Sequence, residues 1–342
     1  MISNLLFFII CCVFLYFLNL YLIKFNFCLD KISKNEKHKF LLKLDKKVPL
    51  SGSFYFLPIF LLLLNTDLLV LFICLFFFAI GLLSDLKIAS SPKLRLLIQF
   101  FLLVFFVYLN KNLQIDTRID ILNILISNEF LRLILISFFF LVLINGYNFI
   151  DGVNNLASLN LLIVSIFIYL LINATGAFEF KYTINLALIS IFVFVLFNFF
   201  GKNFMGDGGV YGLSFLIGVM SIELSQLSDK ISPYFIANLL WYPAFENLFS
   251  IIRRILSSKK NYIADNHHLH QLLYSYLNKK KIIKQKYLLS SITGVSINIY
   301  LLIIYYIGYL NFHDTKYQLY LIFINIFCYS TFYYFLKNKL SD

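Results

Sequence analysis

The sequence predicts an all-α, polytopic integral membrane protein with about eleven membrane-spanning helices. Three observations carry that expectation. Apolar residues make up 61% of the 342 and charged residues 13%, against about 45–50% and about 25% in ordinary soluble domains. Apolar runs recur from end to end, most of them close to the ~17–25 residues that cross a hydrocarbon core. Lys and Arg are concentrated in alternate loops, the asymmetry of a membrane protein with a basic inner face. A soluble core of this chain length cannot hide so much apolar side chain.

In order, the runs lie near residues 4–23, 52–64, 67–83, 94–110, 130–146, 157–173, 183–200, 209–227, 233–252, 287–308 and 317–336. The second is short and reads as tilted, broken or partly re-entrant. Each run must satisfy its own backbone polar groups, which makes helices the default. The runs are too continuous for the alternating strands of a membrane barrel. No basic stretch precedes the first run and no small-residue cleavage site follows it before Lys24, so it reads as a retained span. Pro243 is expected to kink the ninth span. The Lys-rich segment 31–47 predicts an interfacial helix, and the outer loop 110–129 carries no recognisable chemistry. The chain reads as one membrane domain over 1–342, with a motif-bearing core at about 45–275 and no internal repeat of the transporter kind.

The net charge of +12 follows from this topology rather than from nucleic-acid binding. With the N-terminus outside and the C-terminus cytoplasmic, only Lys111, Arg118, Arg132, Lys181, Lys230 and Lys316 of the 29 Lys and Arg fall outside the inner face. That is the positive-inside pattern, and inner basic clusters attract anionic lipid headgroups. Cys11, Cys12, Cys28, Cys74 and Cys328 show neither metal-ligand spacing nor a disulfide framework.

The unusual polar residues gather on that same inner face. Ser84-Asp85-Leu86-Lys87 follows the third span, and Asn148 to Asn154, with Asp151 and Gly152 between them, follows the fifth. Phe204-Met205-Gly206-Asp207-Gly208-Gly209 opens the eighth, and Asp265 to His270 follows the ninth. An ionised Asp at the centre of a spanning helix costs about 2.5–3.5 kcal/mol, less near the interface. Asp85, Asp151 and Asp207 each sit at a helix end. Any one alone reads as a cap or a Lys partner; three together, ringed by Gly and Asn, point to a cation or phosphate site. Glycines around Asp207 let backbone approach a ligand, and a helix N-terminus offers N–H groups and a positive dipole end to phosphate. A carboxylate there suits Mg²⁺; a plain tight turn is the alternative. His268 and His270 lack the ligands that would complete a zinc site and read as phosphate donors or as solvated loop residues. Glu223 and Glu246 are intramembrane acids, Glu246 either an Arg partner or a substrate contact. The set suits metal-assisted phosphoryl transfer, with a lipid-borne phosphate meeting a soluble donor.

These four ordered motifs resemble the polyprenyl-phosphate N-acetylhexosamine-1-phosphate transferases, with the phospho-N-acetylmuramoyl-pentapeptide transferases as cousins. The resemblance implies ten or eleven helices and an Mg²⁺ site, open also to Mn²⁺, on the cytoplasmic face of the cell inner membrane. It implies transfer of a sugar-1-phosphate from a UDP-sugar to undecaprenyl phosphate, releasing UMP. Asp85 matches the second member of an acid pair and is expected to steer the lipid phosphate; Ser84 stands where the first acid would be. Asn148 and Asp151 resemble nucleotide-binding positions, Asp151 also entering the catalytic set, and Asn154 replaces an Asp. Asp207 matches the metal ligand and Phe204 a residue that stacks on uracil. His268-Leu269-His270 matches the His-x-His of the hexosamine branch, and Lys87 joins His268, His270, Asn148, Asn154 and Phe204 in the substrate-binding set. Pro49-Leu50-Ser51-Gly52-Ser53 is a reduced form of an N-terminal motif. The implied partners are a UDP-N-acetylhexosamine, undecaprenyl phosphate and membrane lipid, with a homodimer left open. Two other classes compete: a lipid or anionic-solute transporter or flippase, which would carry charges at mid-membrane, and an inactive homologue serving as a scaffold, suggested by Ser84 and Asn154.

Overall fold

The structure, a computed structural model, describes residues 2–30, 47–61, 67–89, 91–110, 113, 115–176, 181–256, 267–281 and 283–341. Most of the expected interfacial helix at 31–47 lies outside the described residues, as do residues 257–266 of the loop between the ninth and tenth spans.

The chain runs through α1 (Ile2–Lys24), β1 (Leu29–Asp30), β2 (Val48–Pro49), α2 (Gly52–Tyr55), α3 (Leu57–Leu61), α4 (Leu68–Asp85) and α5 (Pro92–Leu109). Next come α6 (Asp120–Ser127), α7 (Glu129–Ile150), α8 (Leu156–Thr175), α9 (Lys181–Phe199) and α10 (Gly206–Leu227). The last are α11 (Pro233–Leu239), α12 (Trp241–Leu256), α13 (Leu269–Lys279), α14 (Lys286–Leu310) and α15 (Thr315–Ser341). Among the described residues nine helices are long and apolar enough to cross a membrane, or ten spans if α11 and α12 count as one. α10 is the most enclosed of them, and α1, α5 and α15 are the most open. Phe101, Phe105, Phe323 and Phe327 stand exposed on α5 and α15, as lipid-facing side chains do.

The short second run is broken, one of the forms its length allowed, and the ninth span departs from expectation. The run 52–64 is not one helix. Its described part is α2 and α3, separated at Phe56. Pro58 lies in the first turn of α3, and with no N–H it cannot donate to the carbonyl four residues earlier, so the helical ladder is interrupted there. Gly52 nevertheless touches Met205 at the start of α10, whereas α4 begins at the far end of the bundle. Gly52 and the start of α4 therefore lie at opposite ends of the bundle. The correction concerns the ninth span. It is bent by 70°, but the break falls at Leu240 and not at Pro243. Pro243 occupies the first turn of α12, where a missing N–H breaks no intrahelical bond.

Polar side chains tie the spans together where lipid offers no partner. Tyr300 donates to Asn325 at 2.8 Å, Asn325 to Asn238 at 3.0 Å, and Asn238 to Gln318 at 3.3 Å. This chain clamps α11 between α14 and α15. Tyr147 on α7 donates to Asn160 on α8 at 2.9 Å.

The loop 110–129, expected to be featureless, holds α6, whose Ile121 and Ile124 project outward like an interfacial amphipathic helix. Just before it Arg118 binds two distant segments at once. It donates to His313 O at 2.9 Å, Thr315 Oγ1 at 3.3 Å, Ile231 O at 3.0 Å and also Asp229 O. Asp116 accepts the Arg118 N–H at 2.8 Å, and that bond, more than any other influence, holds its carboxyl below the usual range. Arg118→Ala is expected to destabilise the protein by about 1–3 kcal/mol, read as a lower thermal midpoint in detergent. The opposite end of the bundle should keep its ligand affinities.

Candidate active site

α4 and α10 run antiparallel, so the end of one meets the start of the other. They approach at Gly81 and Gly208: a Cβ at position 81 would fall 2.3 Å from Gly208 N and 2.4 Å from Asp207 C. Small residues at such a crossing let two backbones touch.

That approach places Asp85 over the first turn of α10. Its Oδ1 accepts the Asp207 N–H at 2.9 Å, and its Oδ2 accepts the Gly208 N–H at 3.3 Å and the Ser53 hydroxyl at 2.9 Å. Ser53 Oγ in turn accepts the Gly209 N–H at 3.3 Å. α10 has no cap from its own preceding residue; Asp85 supplies it from another helix. An anion is unfavourable at the C-terminus of α4 and favourable at the N-terminus of α10, and its contacts show which end holds it. Gly206 has φ +71, and a Cβ there would lie 2.7 Å from Asp85 Oδ2, so only glycine fits.

Asp207 points to a different set of partners. Its Oδ2 accepts the Ser84 hydroxyl at 2.5 Å and lies 3.8 Å from Arg95 Nη1. Arg95 also donates to Ser84 Oγ and, at 3.2 Å, to Ala89 O. Ser84 therefore bridges a cation and an anion. Lys87 stands just past the end of α4 at φ +62, a left-handed position usually given to glycine.

The end of α7 forms the neighbouring wall. Asn148 Nδ2 donates to the Tyr211 hydroxyl at 2.7 Å, one turn along α10 from Asp207. Asp151 closes α7, its N–H donating to Tyr147 O at 3.1 Å. Phe204 is half-buried and strapped to the N-terminal segment: its N–H donates to Pro49 O at 2.9 Å, and its carbonyl accepts the Gly52 N–H at 3.2 Å. Asn154 faces away from this group. It is buried, with its N–H on Ser290 Oγ at 2.9 Å and its Nδ2 within 3.3 Å of Ser291 Oγ, so it fastens the loop to α14.

The histidines are not solvated loop residues. His268 opens α13, with Nδ1 3.0 Å from Glu246 Oε1. Glu246 also accepts the Leu269 N–H at 3.3 Å and the Tyr329 hydroxyl at 2.7 Å. Its partner is thus a histidine. The His268 ring stacks on His270 at 5.6 Å and approaches Phe149 at 5.5 Å. His270 is fully buried, and among the described residues neither ring nitrogen has a hydrogen-bond partner. A Cβ at Gly152 would fall 2.4 Å from its Nε2, so the glycine beside Asp151 makes room for the ring. Burial, with help from His268, pushes its pKa down to about 3. A neutral buried histidine binds no proton where the unfolded chain does, so stability falls as pH drops from about 6.5 toward that value. The expected slope is about 1 kcal/mol per pH unit. Thermal midpoints measured from pH 7.5 to 5 should fall for the wild type and fall less for His270→Gln.

Asp85, Ser84 and Arg95 are thus linked through Asp207. Asn148 reaches the same helix, and the histidines join through Phe149 and Gly152. Sequence reasoning missed Ser53, Arg95, Tyr329 and the Glu246–His268 pair. Ser53 lay in the reduced motif at 49–53, and Glu246 was marked only by its position inside a span. Among the described residues no three His, Cys, Asp or Glu side chains form a ready metal-ligand group. The donors do fit Mg²⁺ as it is usually held with phosphorylated substrates, by one or two carboxylates with substrate and water oxygens for the rest. Asp207 is the carboxylate placed for that, since the contacts of Asp85 go to backbone and Ser53.

The fold and site define a class: a multi-pass helical membrane protein with an acid pair set over a glycine-rich helix start, suited to handling phosphate. Residues 68–225 match glycosyl transferase family 4, the family of polyprenyl-phosphate hexosamine-1-phosphate transferases. No curated protein matches the chain. The matched stretch runs from α4 nearly to the end of α10 and contains Asp85, Asn148, Asp151, Asn154, Phe204 and Asp207; Glu246, His268 and His270 lie beyond it.

Proposed function

We propose that this protein transfers an N-acetylhexosamine-1-phosphate from a UDP-sugar to undecaprenyl phosphate at the cytoplasmic face of the inner membrane, with Mg²⁺. The observation that carries the reading is the Asp85–Asp207 arrangement over the N-terminus of α10, inside the stretch matched to the family. A phosphate oxygen of the lipid attacks the phosphorus that bears the sugar. The bond from that phosphorus to the bridging oxygen breaks, and UMP leaves with the oxygen and its electron pair. The products are the lipid-diphosphate-sugar and UMP.

The chain's residues mainly position and neutralise. Asp85 orients the first N–H groups of α10 and holds Asp207 in register. Asp207 would hold Mg²⁺, which when bound neutralises diphosphate charge and orients its oxygens. Arg95 and Lys87 supply cationic charge. Phe204 offers a ring for uracil, and Asn148 and Asp151 offer polar groups for the nucleotide. The Glu246–His268–His270 group closes the sugar-phosphate side. The lipid phosphate is already an anion at neutral pH, so Ser84 in place of an acid does not remove the nucleophile.

The test is UMP release by purified protein given undecaprenyl phosphate, Mg²⁺ and a UDP-N-acetylhexosamine. Release that requires all three supports the reading. Solute uptake into proteoliposomes without UMP would favour a transporter. Metal binding with no turnover on any UDP-sugar would favour a scaffold, the reading that Ser84 suggests.

A further inference from the structure

Arg95 is an odd residue to find where it is. It lies in the first turn of α5, which begins at Pro92, and a cation at a helix N-terminus is opposed by the dipole of its own helix. What holds it is the other side of the site: the Ser84 hydroxyl, Ala89 O and, 3.8 Å away, Asp207 Oδ2. Ser84 passes the contact on, donating to the same Oδ2 at 2.5 Å. One carboxylate oxygen of Asp207, Oδ2, is therefore covered by the protein's own cation and its hydroxyl relay. Arg95 and Asp207 are 21% and 25% exposed, so the guanidinium has room to leave. A diphosphate is the stronger attraction, because it carries more charge and accepts two parallel N–H bonds from a guanidinium.

We propose that Arg95 is a resident counter-cation that moves from Asp207 to the donor's diphosphate, so that nucleotide binding opens Asp207 to the divalent cation. This inference rests on the transferase reading and goes beyond it. Asp207 holds a metal weakly until a nucleotide diphosphate arrives, and metal and nucleotide then favour each other. Linkage makes that preference reciprocal.

The test is a Mn²⁺ titration followed by electron paramagnetic resonance, with and without UDP, on full-length protein in detergent. Free Mn²⁺ is corrected for its complex with UDP. The wild type is expected to bind Mn²⁺ about tenfold more tightly with UDP than without, within the usual range of such couplings. Arg95→Gln is expected to bind Mn²⁺ about tenfold more tightly than the wild type when no nucleotide is present, and to lose most of the coupling. Ser84→Ala, which breaks the relay from its other end, should shift in the same direction and carries the test if Arg95→Gln does not fold. Arg95→Lys keeps the charge but not the two parallel N–H bonds, so it should keep the weak metal binding of the wild type without nucleotide and lose part of the coupling. Binding that depends on Asp207 but is no tighter in Arg95→Gln and Ser84→Ala overturns this inference alone. Binding unaffected by Asp207→Asn in every condition overturns it together with the site reading.

Discussion

Asp207→Asn is expected to lower the rate of sugar-phosphate transfer by about a thousandfold or more, with little change in thermal midpoint. The amide keeps the shape of the carboxylate and still accepts the Ser84 hydroxyl. α10 keeps its N-terminal cap, because Asp85 rather than Asp207 supplies it. What disappears is the charge that would hold Mg²⁺ and face Arg95. Loss of one preorganised electrostatic partner costs about 10²–10³-fold in well-studied sites, and here the metal's protein ligand goes with it. Asp85→Asn should look different. It weakens the cap and the site together, so the rate and the thermal midpoint should fall in parallel, the cap contributing about 1–2 kcal/mol. Transfer assays beside thermal unfolding of the two variants separate these roles. Equal midpoints for both would contradict the assignment of Asp85 as the cap.

The second large effect is expected at a residue with no functional group. Gly81→Ala places a methyl 2.3 Å from Gly208 N and 2.4 Å from Asp207 C, against backbone that cannot rotate aside. The two helices must separate by about an ångström or more for an ordinary carbon contact. Overpacking of this kind costs about 1–3 kcal/mol. The loss of activity should be larger than that figure suggests, because α4 carries Asp85 and Ser84 while α10 carries Asp207. A shift of 1 Å at a reacting centre can cost about 10²-fold. We therefore expect Gly81→Ala to reduce transfer about a hundredfold while much of the protein remains folded at low temperature. Near-wild-type transfer would contradict the close approach of α4 and α10.

Much of the site was legible because its residues mark helix ends. Asp85 ends α4, Asp207 sits in the first turn of α10, Asp151 closes α7 and His268 opens α13. A polar residue at the edge of an apolar run stands out from its neighbours. Contacts between distant segments leave no such mark. Nothing in the run Ser91 to Arg95 says that its cation turns back to Ser84. Glu246 was visible as an intramembrane acid, but its partner is 22 positions further along the chain. Asn154 took its expected role from a motif position, yet packing turns it toward α14. The break at Leu240 was missed because proline is the usual cause of a kink, and Pro243 falls where a helix tolerates it.

The central claim is that this polar end of the bundle transfers a sugar-phosphate to a lipid. The most direct measurement supplies a panel of radiolabelled UDP-sugars to purified protein with undecaprenyl phosphate and Mg²⁺, and then extracts the lipid. We predict label in the lipid from at least one UDP-N-acetylhexosamine with the wild type and none with Asp207→Asn. Unlabelled lipid from every sugar in the panel, from protein that still binds Mn²⁺ through Asp207, would contradict the claim.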